Sequence, residues 1–361
     1  MKKQFLLLCL GLSQGIIAMQ LVRETEEYPI VSEKIIDGLT IAVPSYNPVL
    51  KVMTYNVDAA HREEQFENTK WIKRAPRVKK LIDEVKGDIV CLQEMREILG
   101  APTVSRFLGD FDQYRYVIAY RNPSIASPTA PLETAFAQAT LYDPKKLFPL
   151  QSFPKWLSDT PDVVSDTWAA NKDKARGSIV LCTQFVLCHQ GRVVKDTSPF
   201  WVFNVHFDID EEVKTKSSYK LLEIIRIVTN GQPYLVCGDF NFFPCNFIST
   251  AQGDKQREIL TSEMADLGKD ALTLSGKKLE GTFIGYEHDR FKADLKEIIT
   301  RADHIFGSKT VEKVGFSILY NKTMLDEEPQ ELTTRDYPSD HLPLIVRVKL
   351  FGSSLLSFPQ V

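Results

Sequence analysis

The sequence predicts an α/β fold, a large mixed domain of packed sheets and helices, and three observations carry that expectation. Nine apolar runs of strand length recur between residues 50 and 350, several of them alternating apolar with polar or small residues as half-buried strands do. Two stretches with helical apolar spacing lie among them. The chain has 361 residues, 43% hydrophobic and 25% charged, which is ordinary for a globular protein and within reach of one large α/β sandwich.

The chain opens MKKQFLLLCLGLSQGIIA, with Lys2 and Lys3 ahead of an apolar run from Phe5 to Leu12 and small residues at Ser13, Gly15 and Ala18. That is the layout of a secretory signal peptide over residues 1–18, and the run is short for a bilayer span. Export, to the periplasm or the medium, is the expected localisation. Loss of Lys2 and Lys3 would leave 42 basic against 47 acidic residues. Residues 19–48 are turn-rich and read as a leader, 49–350 as the domain and 351–361 as a tail.

Within the domain the strand-like runs are 50–57, 88–94, 115–120, 135–143, 178–187, 200–208, 233–241, 302–306 and 342–350. Pro76 suits the first position of a helix that carries Val78, Leu81, Ile82 and Val85 to a stop at Gly87. A second helix runs through 217–231, with Leu221, Leu222, Ile225 and Val228 as its stripe and Gly231 as its cap. Stretches 121–134 and 151–176 read as long loops, which usually serve a site. Beyond the leader, Cys91, Cys182, Cys188, Cys237 and Cys245 make an odd count, which is no disulfide framework. Cys91, Cys182 and Cys237 read as small buried hydrophobes, and one bridge through Cys237 or Cys245 stays open.

The stretch LVCGDFNFFP, 235–244, places a carboxylate and an amide two residues apart in otherwise core-like sequence. In an extended chain Asp239 and Asn241 project to the same side, where the strand ends. Gly238 permits a close backbone approach, and Pro244 forbids further ladder bonds. A buried carboxylate needs a cation, a donor or a substrate, although an Asx turn would also explain the pattern. Similar intrusions end or interrupt other runs: Asn56, Glu94, His206, Asp303, Asp340 and His341. Carboxylates, amides and imidazoles without a lysine are a set suited to metal binding and proton transfer.

In that order, TYN (54–56), LQE (92–94), NVHFD (204–208), GDFN (238–241), RADHIF (301–306) and SDH (339–341) resemble the endonuclease/exonuclease/phosphatase superfamily, across roughly residues 49–350. NTKWIKR (68–74), WLSDTPD (156–162), GTFIGY (281–286) and PSDHLP (338–343) are similar to a branch of bacterial and fungal members. Their usual forms there are N-x-x-W-x-x-R, WLSETP and GTFHGF. This chain departs from that pattern at Asp159, Ile284 and His304, the last a threat to Asp303 beside it.

The resemblance implies the DNase I-like architecture, a four-layer α/β sandwich of two packed mixed β-sheets flanked by helices. It also implies hydrolysis of a phosphate ester by water with Mg²⁺ or Mn²⁺. Glu94 is then the best metal ligand, with Asn56 holding it or the phosphate, and Asp340 binds the metal directly or through water. Asp239 orients or deprotonates the attacking water, Asn241 and His206 donate to phosphate oxygens, and His341 is oriented by Asp303. Whether Asp239 or His341 is the base stays open. Arg176 and Tyr142 are further candidates for substrate binding, against the plainer readings of a surface arginine and a packed strand tyrosine. Trp71 and Trp156 read as anchors of loops over the rim.

The implied partner is a phosphoester: a phospholipid headgroup, an inositol or sugar phosphate, or a nucleic acid. Excess acidic residues speak against long duplexes, whose binding leans on Lys and Arg. No basic amphipathic helix points to a lipid surface, no stable membrane span is expected, and a monomer is the expected form. A metal-dependent nuclease and a non-catalytic module on the same scaffold are the alternatives.

Overall fold

The computed structural model describes residues 46–59, 70–96, 104–121, 136–165, 167–168, 177–194, 197–242, 251–268, 281–283, 301–318 and 338–350. The expected signal peptide, most of the leader, the tail, Arg176, Ile284 and Cys245 lie outside them.

Two sheets are present. The first runs β12 (Glu312–Ile318), β13 (Leu344–Lys349), β1 (Leu50–Asn56), β2 (Ile89–Arg96), β4 (Phe136–Tyr142), β3 (Arg115–Tyr120). The second runs β10 (Ala265–Asp266), β11 (Asp303–Gly307), β9 (Tyr234–Asp239), β8 (Phe200–His206), β6 (Ile179–His189), β5 (Leu147–Trp156), with β7 (Arg192–Val193) paired to β6. Each sheet holds one parallel pair, β1 with β2 and β8 with β9; the other pairings are antiparallel. A parallel pair needs a crossover, and helices α1 (Trp71–Val85) and α3 (Glu211–Thr229) supply the two. Helices α2 (Val104–Gly109) and α4 (Ala251–Thr261) complete the described set. The result is the expected sandwich of two packed mixed sheets flanked by helices.

Alternation along the strands builds its layers. Leu50, Val52, Leu92, Ala139, Val202, Leu235, Cys237 and Ile305 are buried in the main apolar core, to which both sheets contribute. The α1 stripe Val78, Leu81 and Ile82 closes on the first sheet. Phe203, Val205, Val236 and Phe306 form a second cluster with Leu221, Leu222 and Ile225 of α3. None of the described helices is long and apolar enough to cross a membrane.

Several local expectations change. Helix α1 begins at Trp71 and carries Pro76 inside it. The left-handed turn after it is taken by Lys86 at φ 50°, one residue before Gly87. Helix α3 starts earlier than its apolar stripe, where the Asp210 carboxylate accepts from the amides of Glu212 and Val213. Residues 151–156 belong to β5 and not to a loop. Prolines 149 and 154 concealed that strand; it tolerates them because it is the edge of its sheet, and its register shifts between Pro149 and Gln151. Cys91, Cys182, Cys188 and Cys237 are free and buried, so no bridge runs through Cys237.

Candidate active site

The fold gathers the polar residues by topology. Strands β1, β2, β8 and β9 bring Asn56, Glu94, His206 and Asp239 to their carboxyl ends, where open α/β sheets bind ligands. Strand β11 runs antiparallel to β9 and starts where β9 stops, setting Asp303 opposite Asp239. Strand β13 runs antiparallel to β1, so the segment before it returns Asp340 and His341 to the same end.

Asp239 is the centre. Its carboxylate is 1% exposed; Oδ2 accepts from Asn56 Nδ2 at 2.8 Å and lies 3.7 Å from His206 Nε2 and 3.8 Å from His341 Nε2. Oδ1 accepts the Asn241 amide at 2.8 Å. That last bond closes an Asx turn at the end of the strand, the plain reading of the pattern. Asn241 takes φ 50°, and its Nδ2 donates to Phe207 O at 2.8 Å. Burial pushes the Asp239 carboxyl up to about 7, although His341, Asn56 and the Asn241 amide pull the other way.

Gly238 does permit a close approach, but the neighbour is the parallel strand. A Cβ there would fall against Val205 O and within 2.7 Å of Val205 Cγ2.

Glu94 does not end its strand. It sits at φ 54° inside a bulge of β2, where the pairing with β4 shifts between Leu92 and Met95. The bulge re-aims the side chain, a regular use of such irregularities beside active sites. Glu94 Oε1 then accepts from Asn56 Nδ2 at 3.0 Å and lies 3.6 Å from His206 Nε2, with the side chain 19% exposed. Gln93 turns inward instead, donating to Asn204 Oδ1 at 2.8 Å and tying the sheets together beneath the site.

Asn56 sits between two carboxylates. Its Oδ1 accepts the Asp58 amide at 3.0 Å, which leaves the nitrogen facing Glu94 and Asp239. It therefore holds the two carboxylates through its nitrogen. Oxygen donors come from Glu94, Asp239 and Asp340, the set that Mg²⁺ or Mn²⁺ takes. Ligand atoms of Glu94, His206 and Asp239 lie within 4.8 Å of one another, as do those of Asp239, Asp303 and His341. Asp58, buried behind Asn56, has its carboxyl pushed well up by burial and then by the charges of Asp340 and Glu94. Negative charge crowded this way fits a divalent cation.

His341 Nδ1 lies 2.8 Å from Asp303 Oδ2, and Nε2 is 4.0 Å from Asp340 Oδ1. Burial lowers its basicity, but the carboxylates of Asp303 and Asp239 outweigh that and hold the imidazole well above its usual range. His304 does not disturb the pair. It points to the other face, stacked on Phe306 at 5.3 Å, with Nε2 against Arg301 O.

Four supports escaped the sequence reading. Thr282 Oγ1 accepts the Asp303 amide at 3.0 Å, and its carbonyl accepts the Leu342 amide at 2.7 Å, so the GTF segment fixes both halves of the dyad. Ser339 Oγ donates to Asn56 O at 2.7 Å. Buried Arg74 donates to Val57 O, Asp58 O and Pro338 O. Arg121 Nη2 lies 2.7 Å from His206 Nδ1. The arginine of N-x-x-W-x-x-R and the threonine of GTF were visible as motif letters; nothing marked Arg121.

Tyr142 is a correction. It pairs with Ile89 at the far end of β2 from Glu94, is 9% exposed, and packs its ring on Phe185 at 5.3 Å. Five strand residues, about 16 Å, separate it from the site. Trp71 and Trp156 are interior, each 1% exposed.

Comparison with known proteins agrees with this fold. The family model described as "Endonuclease/Exonuclease/phosphatase family" matches residues 53–341. A protein of Acanthamoeba polyphaga mimivirus, described only as uncharacterized, is 28% identical over 299 residues, covering 82% of this chain and 99% of its own. An endonuclease/exonuclease/phosphatase from Bacteroides vulgatus superposes with TM-score 0.62 at 22% identity, covering 84% of this chain and 99% of that one. A mannosyl-6-phosphatase of Bacteroides thetaiotaomicron gives TM-score 0.60 at 21% identity over 83% and 99%.

Proposed function

Because the chain belongs to the endonuclease/exonuclease/phosphatase family, we propose that it hydrolyses a small or headgroup-sized phosphoester by divalent-metal-assisted attack of water, after export through its N-terminal segment. One observation carries the reading: Asp239 is shared by two groups of ligand atoms, one with Glu94 and His206, the other with Asp303 and His341.

Glu94 and Asp340 would hold Mg²⁺ or Mn²⁺, the more open carboxylates of the site at 19% and 14% exposure. When bound, such an ion polarises a phosphoryl oxygen and neutralises charge on the leaving group. Asp239 orients the water and takes its proton. Its raised basicity suits that task, and Asn56 fixes the oxygen concerned. His341, kept cationic by Asp303, stabilises the negative charge that grows on the phosphoryl oxygens. His206 and Asn241 donate to those oxygens.

A sugar phosphate is the substrate class favoured here, because a neighbour of the same fold is a mannosyl-6-phosphatase and the chain's charge balance is acidic. A nuclease is the second reading, since a zebrafish TDP2 complexed with single-strand DNA product shares the fold at TM-score 0.53.

The test is a panel of phosphomonoesters, phosphodiesters, DNA and RNA with Mg²⁺ and Mn²⁺, repeated with Asp239→Ala and His341→Ala. Turnover of a small ester, lost in both variants, supports the proposal. Nucleic-acid cleavage alone, falling steeply with salt, would favour the nuclease, and inertness toward the whole panel a binding module. Sequencing the N-terminus of the mature protein tests export; an intact Met1 would overturn it.

A further inference from the structure

The two histidines of the site face opposite partners. His341 Nδ1 meets an acceptor, the Asp303 carboxylate at 2.8 Å. His206 Nδ1 meets Arg121 Nη2 at 2.7 Å. A guanidinium has only donors, so the ring nitrogen it addresses must present a lone pair. The His206 proton then belongs on Nε2, which lies 3.6 Å from Glu94 Oε1 and 3.7 Å from Asp239 Oδ2.

Arg121 is itself held in place. It follows β3, the edge of the first sheet, and its amide donates to Phe136 O at 2.9 Å. Its carbonyl accepts the indole N–H of Trp156 at 3.1 Å, and the guanidinium lies over the Phe136 ring, 5.5 Å from the centroid. Trp156 ends β5, the edge of the second sheet, and is locked by its own amide on Pro161 O at 2.9 Å. A buried tryptophan on one sheet edge thus braces an arginine on the other, and that arginine orients a histidine of the cleft.

We propose that Arg121 is the positioning residue of His206, fixing it as the Nε2–H tautomer that donates into the gap between Glu94 and Asp239, and that Trp156 acts through Arg121. This rests on the phosphoesterase reading only for its consequence: a donor aimed at a phosphate oxygen requires that tautomer. A carboxylate in place of Arg121 would turn the proton to Nδ1 and leave Nε2 with a lone pair facing an anion. It also accounts for the tryptophan of WLSDTPD, which touches none of the reacting groups.

The experiment is nitrogen-15 spectroscopy on the full chain labelled at its six histidines, with the His206 signals assigned through His206→Gln. The wild-type protein should show His206 protonated at Nε2. Arg121→Glu, which presents an acceptor, should place a proton on His206 Nδ1, leave the other five histidines in place and cost roughly 10–100-fold in kcat, with KM moved less than about threefold. Arg121→Lys, which still donates, should restore the tautomer and part of the rate. Trp156→Phe, which loses the bond to Arg121 O, should cost a smaller part of kcat with the same small change in KM. His206 protonated at Nδ1 in the wild type, or no proton gained at Nδ1 in Arg121→Glu, overturns the proposal. The wild-type spectrum decides the central point even if a variant fails to fold. Should the protein hydrolyse nothing while His206 keeps the expected tautomer, the phosphoesterase reading fails and the role of Arg121 in holding His206 stands.

Discussion

Asp303 faces Asp239 directly across the β11–β9 ladder, and His341 stands over both, with one ring nitrogen 2.8 Å from Asp303 Oδ2 and the other 3.8 Å from Asp239 Oδ2. The backbone pairing therefore sets the spacing of a three-residue proton network. Asp303→Asn keeps the shape but removes the charge that holds the imidazole. The expected outcome is a fall in kcat of roughly 100-fold or more with KM little changed. Steady-state kinetics on the substrate found by the panel check it, and a full-rate Asp303→Asn enzyme would remove His341 from the chemistry.

Arg74 joins the segment after β1 to the segment that carries Asp340 and His341. Its guanidinium is 1% exposed and donates to three main-chain carbonyls, those of Val57, Asp58 and Pro338. Arg74→Met leaves those acceptors buried without a donor and should destabilise the fold by about 3–5 kcal/mol. Arg74→Lys, which reaches fewer of them, should recover only part. Urea denaturation with a constant slope measures the difference, and a loss under about 1 kcal/mol would contradict the bracing role.

A pH-dependent component of stability sits away from the site. The Asp266 side chain is 3% exposed; burial would raise its carboxyl, but His304, Arg301 and Arg257 together hold it well below the usual carboxylate range. A depressed folded-state value contributes stability that is complete above the unfolded value of about 4 and drains away as pH falls below it. Asp266→Asn should thus cost about 2–3 kcal/mol at pH 7, less than a fully buried pair because Arg257 is one-third exposed. The gap to wild type should close progressively below pH 4. Equal gaps at pH 7 and pH 3 would show that the charge is not what matters.

The strand-end residues were legible because a single physical rule governs them: polar groups in core-like runs need a reason. Asp239, Asn241, His206 and Asp303 came from that rule, and family resemblance ordered them. What stayed hidden depends on geometry that a linear pattern does not carry. Glu94 looked like a strand terminus because a bulge is one extra residue with no compositional mark. Strand β5 was lost to its prolines, which forbid a central strand and permit an edge. Tyr142 was misplaced because direction was not known: β4 runs against β2, so its carboxyl end lies far from Glu94. Arg121 is an ordinary arginine at a strand end until the fold sets it beside His206.

Cation binding should be readable in stability, apart from any turnover. Glu94 and Asp340 both push up the Asp58 carboxyl, and Asp239 is raised by burial and by Asp303, so the metal-free site concentrates like charge in a low-dielectric pocket. An ion seated among these oxygens relieves that repulsion in the folded state alone. Stabilisation by such a ligand grows as RT ln(1 + [L]/Kd), about 2.7 kcal/mol at 100 times Kd. Protein stripped with EDTA should therefore unfold at a lower temperature, and Mg²⁺ or Mn²⁺ should restore the midpoint in a saturable way. Glu94→Gln removes one charge from the crowd. It should raise the Tm of the stripped protein slightly and abolish most of the metal response, two changes of opposite sign that a merely damaged fold would not give. A metal response of wild-type size in Glu94→Gln would place the ion elsewhere.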